Sequence, residues 1–145
     1  MQSQKSRIII DTNLWISFLI SKDFSKLDEI IFSEKATILF SEELLSEFLE
    51  VIRRPKLRRY FQQDDLENLL ETLDEYAEYV NVSSDVHFCR DEKDNFLLSL
   101  AVDGNADFLL TGDADLLVLD KIGKTKITTI SAFMNDDFSI ILNKP

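Results

Sequence analysis

The chain is poor in the residues that mark several common classes of protein. It contains one cysteine, Cys89, so no intramolecular disulfide can form, which excludes a disulfide-stapled secreted domain. Three glycines and two prolines among 145 residues argue against collagen and loop-rich all-β folds. The single histidine, His87, leaves no histidine and cysteine set of the kind that binds zinc.

Long apolar runs are also missing. No stretch approaches the ~18 apolar residues that cross a membrane, and the polar start MQSQKSR has no signal-peptide core. We therefore expect a soluble, cytoplasmic protein without a membrane partner. Because 45% of the residues are hydrophobic and 30% are charged, the chain is globular in composition, and we predict one domain over residues 1–145.

Charge is distributed unevenly along the chain. The net charge of −11 argues against general binding to polyanions, yet residues 60–89 hold eight acids and no lysine or arginine. Five cations stand just before that segment, and we call them the basic strip: Arg53, Arg54, Lys56, Arg58 and Arg59. Such a strip is either a phosphate-binding surface or a solvated helix face, and the sequence leaves both open.

Strands and helices alternate along the sequence. Continuous apolar runs predict strands at residues 7–11, 36–40, 79–82, 107–111 and 126–130. Apolar positions at helical spacing predict helices at 13–20, 25–33, 42–54, about 64–77 and 91–102, the fourth opened by a capping box of Asp64 and Glu67. A short helix and an extended end over 138–142 complete the chain. This order predicts an α/β sandwich with a mainly parallel sheet.

Acidic residues follow the predicted strands at one edge of the sheet. Asp11 ends the first strand and Asp113 follows strand 107–111, at the edge where open parallel sheets bind ligands. Asp94 lies in the first turn of helix 91–102 and shares its inward face. Glu47 lies on the rim of the apolar stripe of helix 42–54. We therefore expect these four acids to converge.

Like charges held together need a positive partner. Oxygen ligands favour Mg²⁺ or Mn²⁺, ions that typically activate water and stabilise charge on a phosphodiester. Aspartates at strand ends also cap helices for purely local reasons. We assign Asp91 as a cap, whereas Asn13 and Asp115 are either caps or auxiliary members of the site. Spacing alone leaves the metal site and the capping explanation equally open.

Four segments together resemble the motifs of PIN-domain ribonucleases. They are DTNLWI at residues 11–16, SEELLSEF at 41–48, DEKDNFL at 91–97 and TGDADLL at 111–117. Each alone is a weak signal, but all four occur in order over residues 7–133. The bacterial branch of toxins from toxin–antitoxin pairs is the most similar variety.

The resemblance implies a three-layer α/β/α sandwich, RNA as substrate, an antitoxin protein as a partner and frequent homodimers. It further implies catalytic roles for Asp11, Glu47, Asp94 and Asp113, with Mg²⁺ or Mn²⁺ held by Asp11, Asp94 and Asp113. Asp115 would be an auxiliary acid. The predicted function is thus a metal-dependent endoribonuclease, with the basic strip along the RNA.

Two other functions fit parts of the pattern. The chain is alternatively a non-catalytic α/β module that binds a partner protein, with its acids only solvating the sheet edge. A receiver domain or an aspartate-nucleophile phosphatase fits less well, because Asn13 stands where such a phosphatase has its second aspartate.

Overall fold

A six-stranded sheet in the order β3-β2-β1-β4-β6-β5 organises the fold. The computed structural model describes residues 5–143, so parts of the polar start and of the predicted domain range lie outside the described residues. Neighbouring strands are parallel except β5, which runs antiparallel to β6. The strands are β1 (Ser6–Ile10), β2 (Ala36–Phe40), β3 (Ala77–Tyr79), β4 (Phe108–Leu110), β5 (Lys121–Ile122) and β6 (Thr125–Thr128).

Helices connect the strands, as the alternating pattern predicts. They are α1 (Thr12–Ser21), α2 (Ser25–Phe32), α3 (Glu42–Ile52), α4 (Pro55–Arg58), α5 (Gln63–Tyr76), α6 (Asn95–Asp103), α7 (Ala114–Leu117), α8 (Ile130–Ala132) and α9 (Phe138–Leu142). A 3₁₀ turn at Glu92–Asp94 precedes α6, and a π-helical turn at Phe133–Asp137 joins α8 to α9. None of the helices within residues 5–143 has the length and apolar character to cross a bilayer.

The central strands are covered on both faces. Ile8, Ile9 and Ile10 follow one another in β1 and are all fully buried. Because successive side chains of a strand point to opposite faces, apolar groups must pack on each side of the sheet. The predicted α/β class with its mainly parallel sheet is therefore confirmed.

Local signals set the start of two helices. The Ser41 hydroxyl accepts a hydrogen bond from the Leu44 amide at 3.1 Å, which caps α3 as predicted. The predicted capping box of Asp64 and Glu67 is wrong, because α5 begins earlier, at Gln63. The Gln62 amide donates to Asp65 Oδ2 at 3.2 Å instead.

The third strand ends earlier than residues 79–82 imply. Ala77 pairs with Ile38 and Tyr79 with Phe40, the last residue of β2. The Val80 amide still donates to the Phe40 carbonyl at 2.8 Å, but β2 offers no further partner. The strand therefore stops where its neighbour stops, and residues 80–91 are irregular.

The extended end predicted over residues 138–142 is wrong, since α9 occupies it. Phe133, Phe138 and Ile141 are buried at spacings that place them on one helical side, whereas Ile140 and Leu142 are exposed. Burial of that side favours the helix over a strand. The two-residue strand β5 was not predicted, because a pair of residues carries no periodic pattern.

Candidate active site

Asp11 and Asp113 lie at the carboxyl ends of two neighbouring strands. In the parallel pair of β1 and β4, Ile10 lies opposite Leu110, so both strands end at the same level. Asp11 directly follows β1 at the start of α1, and Asp113 is the N-cap of α7. The sheet therefore brings together two acids that are about a hundred residues apart in sequence.

Thr111 links these two acids. Its hydroxyl donates to Asp11 Oδ2 at 2.6 Å, and the same oxygen accepts a hydrogen bond from the Asp113 amide at 3.0 Å. Thr111 itself is fully buried. The position of the Asp11 carboxylate is thus fixed by the turn that carries Asp113.

Asp11 is buried, and burial raises its pKa. The Thr111 hydroxyl and the backbone amides of Thr12 and Asn13 oppose that shift, and the charge of Asp113 adds to it. Asn13 thus acts on Asp11 through its main chain, while the residue as a whole is exposed. The carboxylate lies at the amino end of α1, where the helix favours negative charge.

Glu47 reaches the site from α3. The Thr12 hydroxyl donates a hydrogen bond to Glu47 Oε2, which ties α3 to the first turn of α1. Partial burial raises the pKa of Glu47, and the nearby charge of Asp11 raises it further. The sequence-based placement of Glu47 on the rim of the core therefore corresponds to its position beside Asp11.

Asp94 closes the cluster from the turn before α6. Its carboxyl lies within hydrogen-bonding reach of Asp113, and Oδ2 is buried without a partner. Burial raises the pKa of Asp94 to about 8, helped by the hydrogen bond with Asp113 and by the charges of Asp113 and Asp11. The four predicted acids are therefore electrostatically linked neighbours.

The residues of this cluster fit a hard divalent cation in their chemistry. The donors are carboxylate and hydroxyl oxygens, and the unpartnered Asp94 Oδ2 is the kind of atom that a cation would pair. Within residues 5–143, however, no group of three or more histidines, cysteines or acids is arranged to hold a metal ion as it stands. Asp11 Oδ2 and Glu47 Oε2 are occupied by the two threonine hydroxyls. Ligation by Asp11, Asp94 and Asp113 thus stays a prediction.

The two remaining acids of the predicted motifs have different partners. Asp91 accepts a hydrogen bond from the Lys93 amide at 3.1 Å, in agreement with its assignment as a cap. Asp115 does not cap α7, since Asp113 accepts the hydrogen bond of the Asp115 amide at 2.8 Å. The Asp115 side chain instead pairs with Arg90, whose Nη2 lies 2.6 Å from Oδ1.

The basic strip lies at the end of α3 and along α4. All five of its cations are exposed, and none forms an ion pair with an acid of the described chain. Five unpaired charges at one place are free to meet phosphates. The strip is therefore a surface feature, and its contact with RNA stays a prediction.

Sequence reasoning missed three features near the acids: the Thr111 bridge, the Arg90 ion pair with Asp115, and a groove of about 880 Å³ beside α3 and α6. Thr111 carried a signal, because it directly precedes the Gly112-Asp113 turn in the fourth motif. The groove carried none, since irregular residues after β3 form one of its walls.

Comparison with known proteins agrees with the four motifs. The PIN domain family model matches residues 7–115. The uncharacterised protein MJ1680 of Methanocaldococcus jannaschii is 32% identical over 122 residues, which cover 82% of this chain and 78% of that protein. The crystal structure of VapBC2 from Rickettsia felis, bound to a DNA fragment from their promoter, superposes with a TM-score of 0.53 at 18% identity, covering 83% of this chain and 96% of that one.

Proposed function

Because this chain belongs to the PIN-domain family, whose members are generally nucleases, we propose that it is a metal-dependent endoribonuclease that hydrolyses RNA phosphodiester bonds. The observation that carries the proposal is the cluster at the ends of β1 and β4. There Asp94 and Asp113 lie side by side, and Thr111 joins Asp113 to Asp11. A divalent cation would relieve the repulsion that this arrangement creates.

Asp11, Asp94 and Asp113 would hold Mg²⁺ or Mn²⁺, and Glu47 would complete the acidic pocket beside Asp11. The bound ion would supply water activation and stabilisation of phosphoryl charge. The chain's own part is positional: Thr111 and Thr12 hold the Asp11 and Glu47 carboxylates by hydrogen bonds. Burial of Asp11 excludes bulk water from that side of the site.

The test is cleavage of a single-stranded RNA in the presence of Mg²⁺ or Mn²⁺. We expect cleavage by the wild type, its loss in excess EDTA, and a loss of at least about 100-fold in Asp11→Asn. Asp91→Asn is the matched control, because Asp91 is an exposed acid near the site and asparagine can keep its capping role.

Equal cleavage by the wild type and Asp11→Asn would refute the assignment. No cleavage at all, together with a melting temperature that millimolar Mn²⁺ leaves unchanged, would favour the alternative of a non-catalytic protein-binding module.

The biological setting extends this proposal. We place the nuclease in the cytoplasm, as a single domain over residues 1–145, a homodimer, and the toxin of a toxin–antitoxin pair. The resemblance to the toxin branch supports this, and so does the fold shared with VapBC2. Growth arrest on expression, relieved by the product of a neighbouring gene and abolished by Asp11→Asn, tests the toxin role. Light scattering of the purified chain tests the dimer.

A further inference from the structure

The groove beside α3 and α6 is continuous with the proposed catalytic cluster. One wall contains Asn95, the residue after Asp94, and another contains Glu43, one helical turn before Glu47. Tyr79, at the end of β3, and the irregular residues after it complete the groove. A chain cut at the acidic cluster could thus extend directly into this space.

Two buried polar side chains line the groove and have hydrogen-bonding capacity to spare. Asn95 is 5% exposed; its Oδ1 accepts from the Cys89 amide at 2.8 Å, whereas its Nδ2 has no partner. Ser99 is equally buried and accepts from the Val86 amide at 3.0 Å, and its hydroxyl hydrogen meets no acceptor among residues 5–143. A buried donor without a partner costs about 1–3 kcal/mol. The groove therefore suits a ligand that brings hydrogen-bond acceptors.

An aromatic side chain forms part of the groove wall. Tyr79 is 49% exposed, and its ring lies 6.0 Å from the buried ring of Phe40 at an interplanar angle of 44°. Phe40 thus supports the Tyr79 ring on its inner side and leaves the rest accessible. A ring held in this way offers a flat ligand a surface on which to stack.

The charge of the groove excludes a phosphate as the occupant. Four acids line it, namely Glu42, Glu43, Asp85 and Glu92. The one cationic candidate among the lining residues is His87, whose ring nitrogens lie 2.9 Å from Asp85 and 3.8 Å from Glu92. The occupant is therefore uncharged or positive, flat, and rich in acceptors, and a nucleobase has these properties.

We propose that this groove binds the base of an unpaired nucleotide adjacent to the phosphodiester that the acidic cluster would cleave, with Tyr79 stacking on the base and Asn95 donating a hydrogen bond to it. The inference rests on the proposed nuclease function. It makes Tyr79 and Asn95 specificity-determining residues and makes single-stranded RNA the preferred substrate.

The test measures RNA affinity separately from cleavage. Fluorescein-labelled single-stranded RNA octamers, one intact and the others with one abasic nucleotide at each position in turn, are titrated with the full chain by fluorescence anisotropy, with Ca²⁺ in place of Mg²⁺. The variants are Tyr79→Ala, Tyr79→Phe and the matched control Tyr76→Ala, an exposed tyrosine that does not line the groove. Circular dichroism verifies that each variant is folded.

We expect one abasic position to weaken wild-type binding by about 5- to 150-fold, the range that base–aromatic stacking spans. Tyr79→Ala should bind intact and abasic RNA equally well, whereas Tyr79→Phe and Tyr76→Ala should behave like the wild type. Because asparagine amide donors are read only by a base with a facing acceptor, affinity should also depend on which base stands at that position.

Equal affinity of the wild type for intact and abasic octamers at every position would overturn the inference, as would an absence of RNA binding. If Tyr79→Ala leaves RNA affinity unchanged but abolishes binding to a protein partner, the groove serves that partner and the inference is also wrong. Cleavage assays with Mg²⁺ decide the proposed nuclease function independently, because Tyr79 lies outside the acidic cluster.

Discussion

The Asp94 carboxyl offers the sharpest test of the acidic cluster, because replacing it should have opposite effects without and with metal. Its pKa is raised to about 8, mainly by burial and then by Asp113. In the unfolded chain an aspartate titrates near 3.9. Between these values the unfolded state releases a proton that the folded state retains, so folding stability falls as the pH rises. The asparagine of Asp94→Asn cannot ionise and escapes this loss.

The magnitude follows from the size of the shift. One pKa unit corresponds to about 1.36 kcal/mol, so the whole interval would correspond to about 6 kcal/mol. Asp94 is only half-buried, and solvent screening reduces such a figure strongly, to about 1–2 kcal/mol. Each 1 kcal/mol moves the melting temperature of a chain of this size by about 2–4 °C. We therefore expect metal-free Asp94→Asn to melt about 3–6 °C above the wild type at pH 8.

The assay is thermal unfolding in EDTA, followed from pH 4 to pH 9. The difference between variant and wild type should be near zero at pH 4, where Asp94 is protonated in both states, and should reach its full size above pH 8. Asp91→Asn is the control, since Asp91 is exposed and its capping role survives in asparagine. Its melting temperature should stay within about 1–2 °C of the wild type at every pH.

Adding Mn²⁺ should reverse the order. A ligand at 100 times its Kd stabilises the folded state by about 2.7 kcal/mol. The wild type should receive this stabilisation, whereas Asp94→Asn should lose most of it with the loss of a ligand oxygen. A variant that is no more stable than the wild type in EDTA at pH 8, or one that keeps the full Mn²⁺ shift, would show that the reasoning is wrong.

Three further predictions concern the support of the site, the packing of the sheet and the RNA surface. Thr111→Val should lower stability by about 1–3 kcal/mol in urea unfolding, because Asp11 Oδ2 and the Asp113 amide both lose their partner, whereas Thr111→Ser should restore it. Gly104→Ala should cost about 1–3 kcal/mol in the same assay, since its Cβ would lie 2.9 Å from both the Leu100 carbonyl oxygen and Leu39 Cδ1; Gly112→Ala, with nothing within 4 Å, serves as the control. Neutralising the basic strip to glutamine should weaken RNA binding and reduce its salt dependence by about 0.7 for each phosphate that is no longer neutralised, while an unchanged salt slope would mean that the strip is only a solvated surface. The residues changed together are Arg53, Arg54, Lys56, Arg58 and Arg59.

The sequence predicted those parts of the fold and site that depend on regular patterns. The isoleucine run of β1 indicated a strand buried on both faces, and its last residue placed Asp11 at the carboxyl edge. The turn after β4 placed Asp113 at the same edge, because parallel strands that neighbour each other end together. The four motifs then indicated the PIN-domain family, which the family model confirms over residues 7–115.

What escaped prediction depends on contacts between distant segments. The end of β3 is set by the end of β2, which no feature of residues 77–82 reveals. Arg90 and Asp115 meet across 25 positions of sequence, and the irregular segment that carries Arg90 has no periodicity to place it. The helical end of the chain was misread because its five residues 138–142 fit either pattern until burial of Phe138 and Ile141 selects one.

The acids of the cluster are compensated unequally, and this asymmetry indicates what the site lacks. Hydroxyl donors from Thr111 and Thr12 oppose the effect of burial on Asp11 and Glu47. Asp94 has no such donor at Oδ2, and its closest polar neighbour is another acid, Asp113. A further neutral hydrogen bond would ease the desolvation of Asp94 but not the repulsion between the two carboxylates. Positive charge relieves both, so a divalent cation fits this cluster better than any additional hydroxyl would.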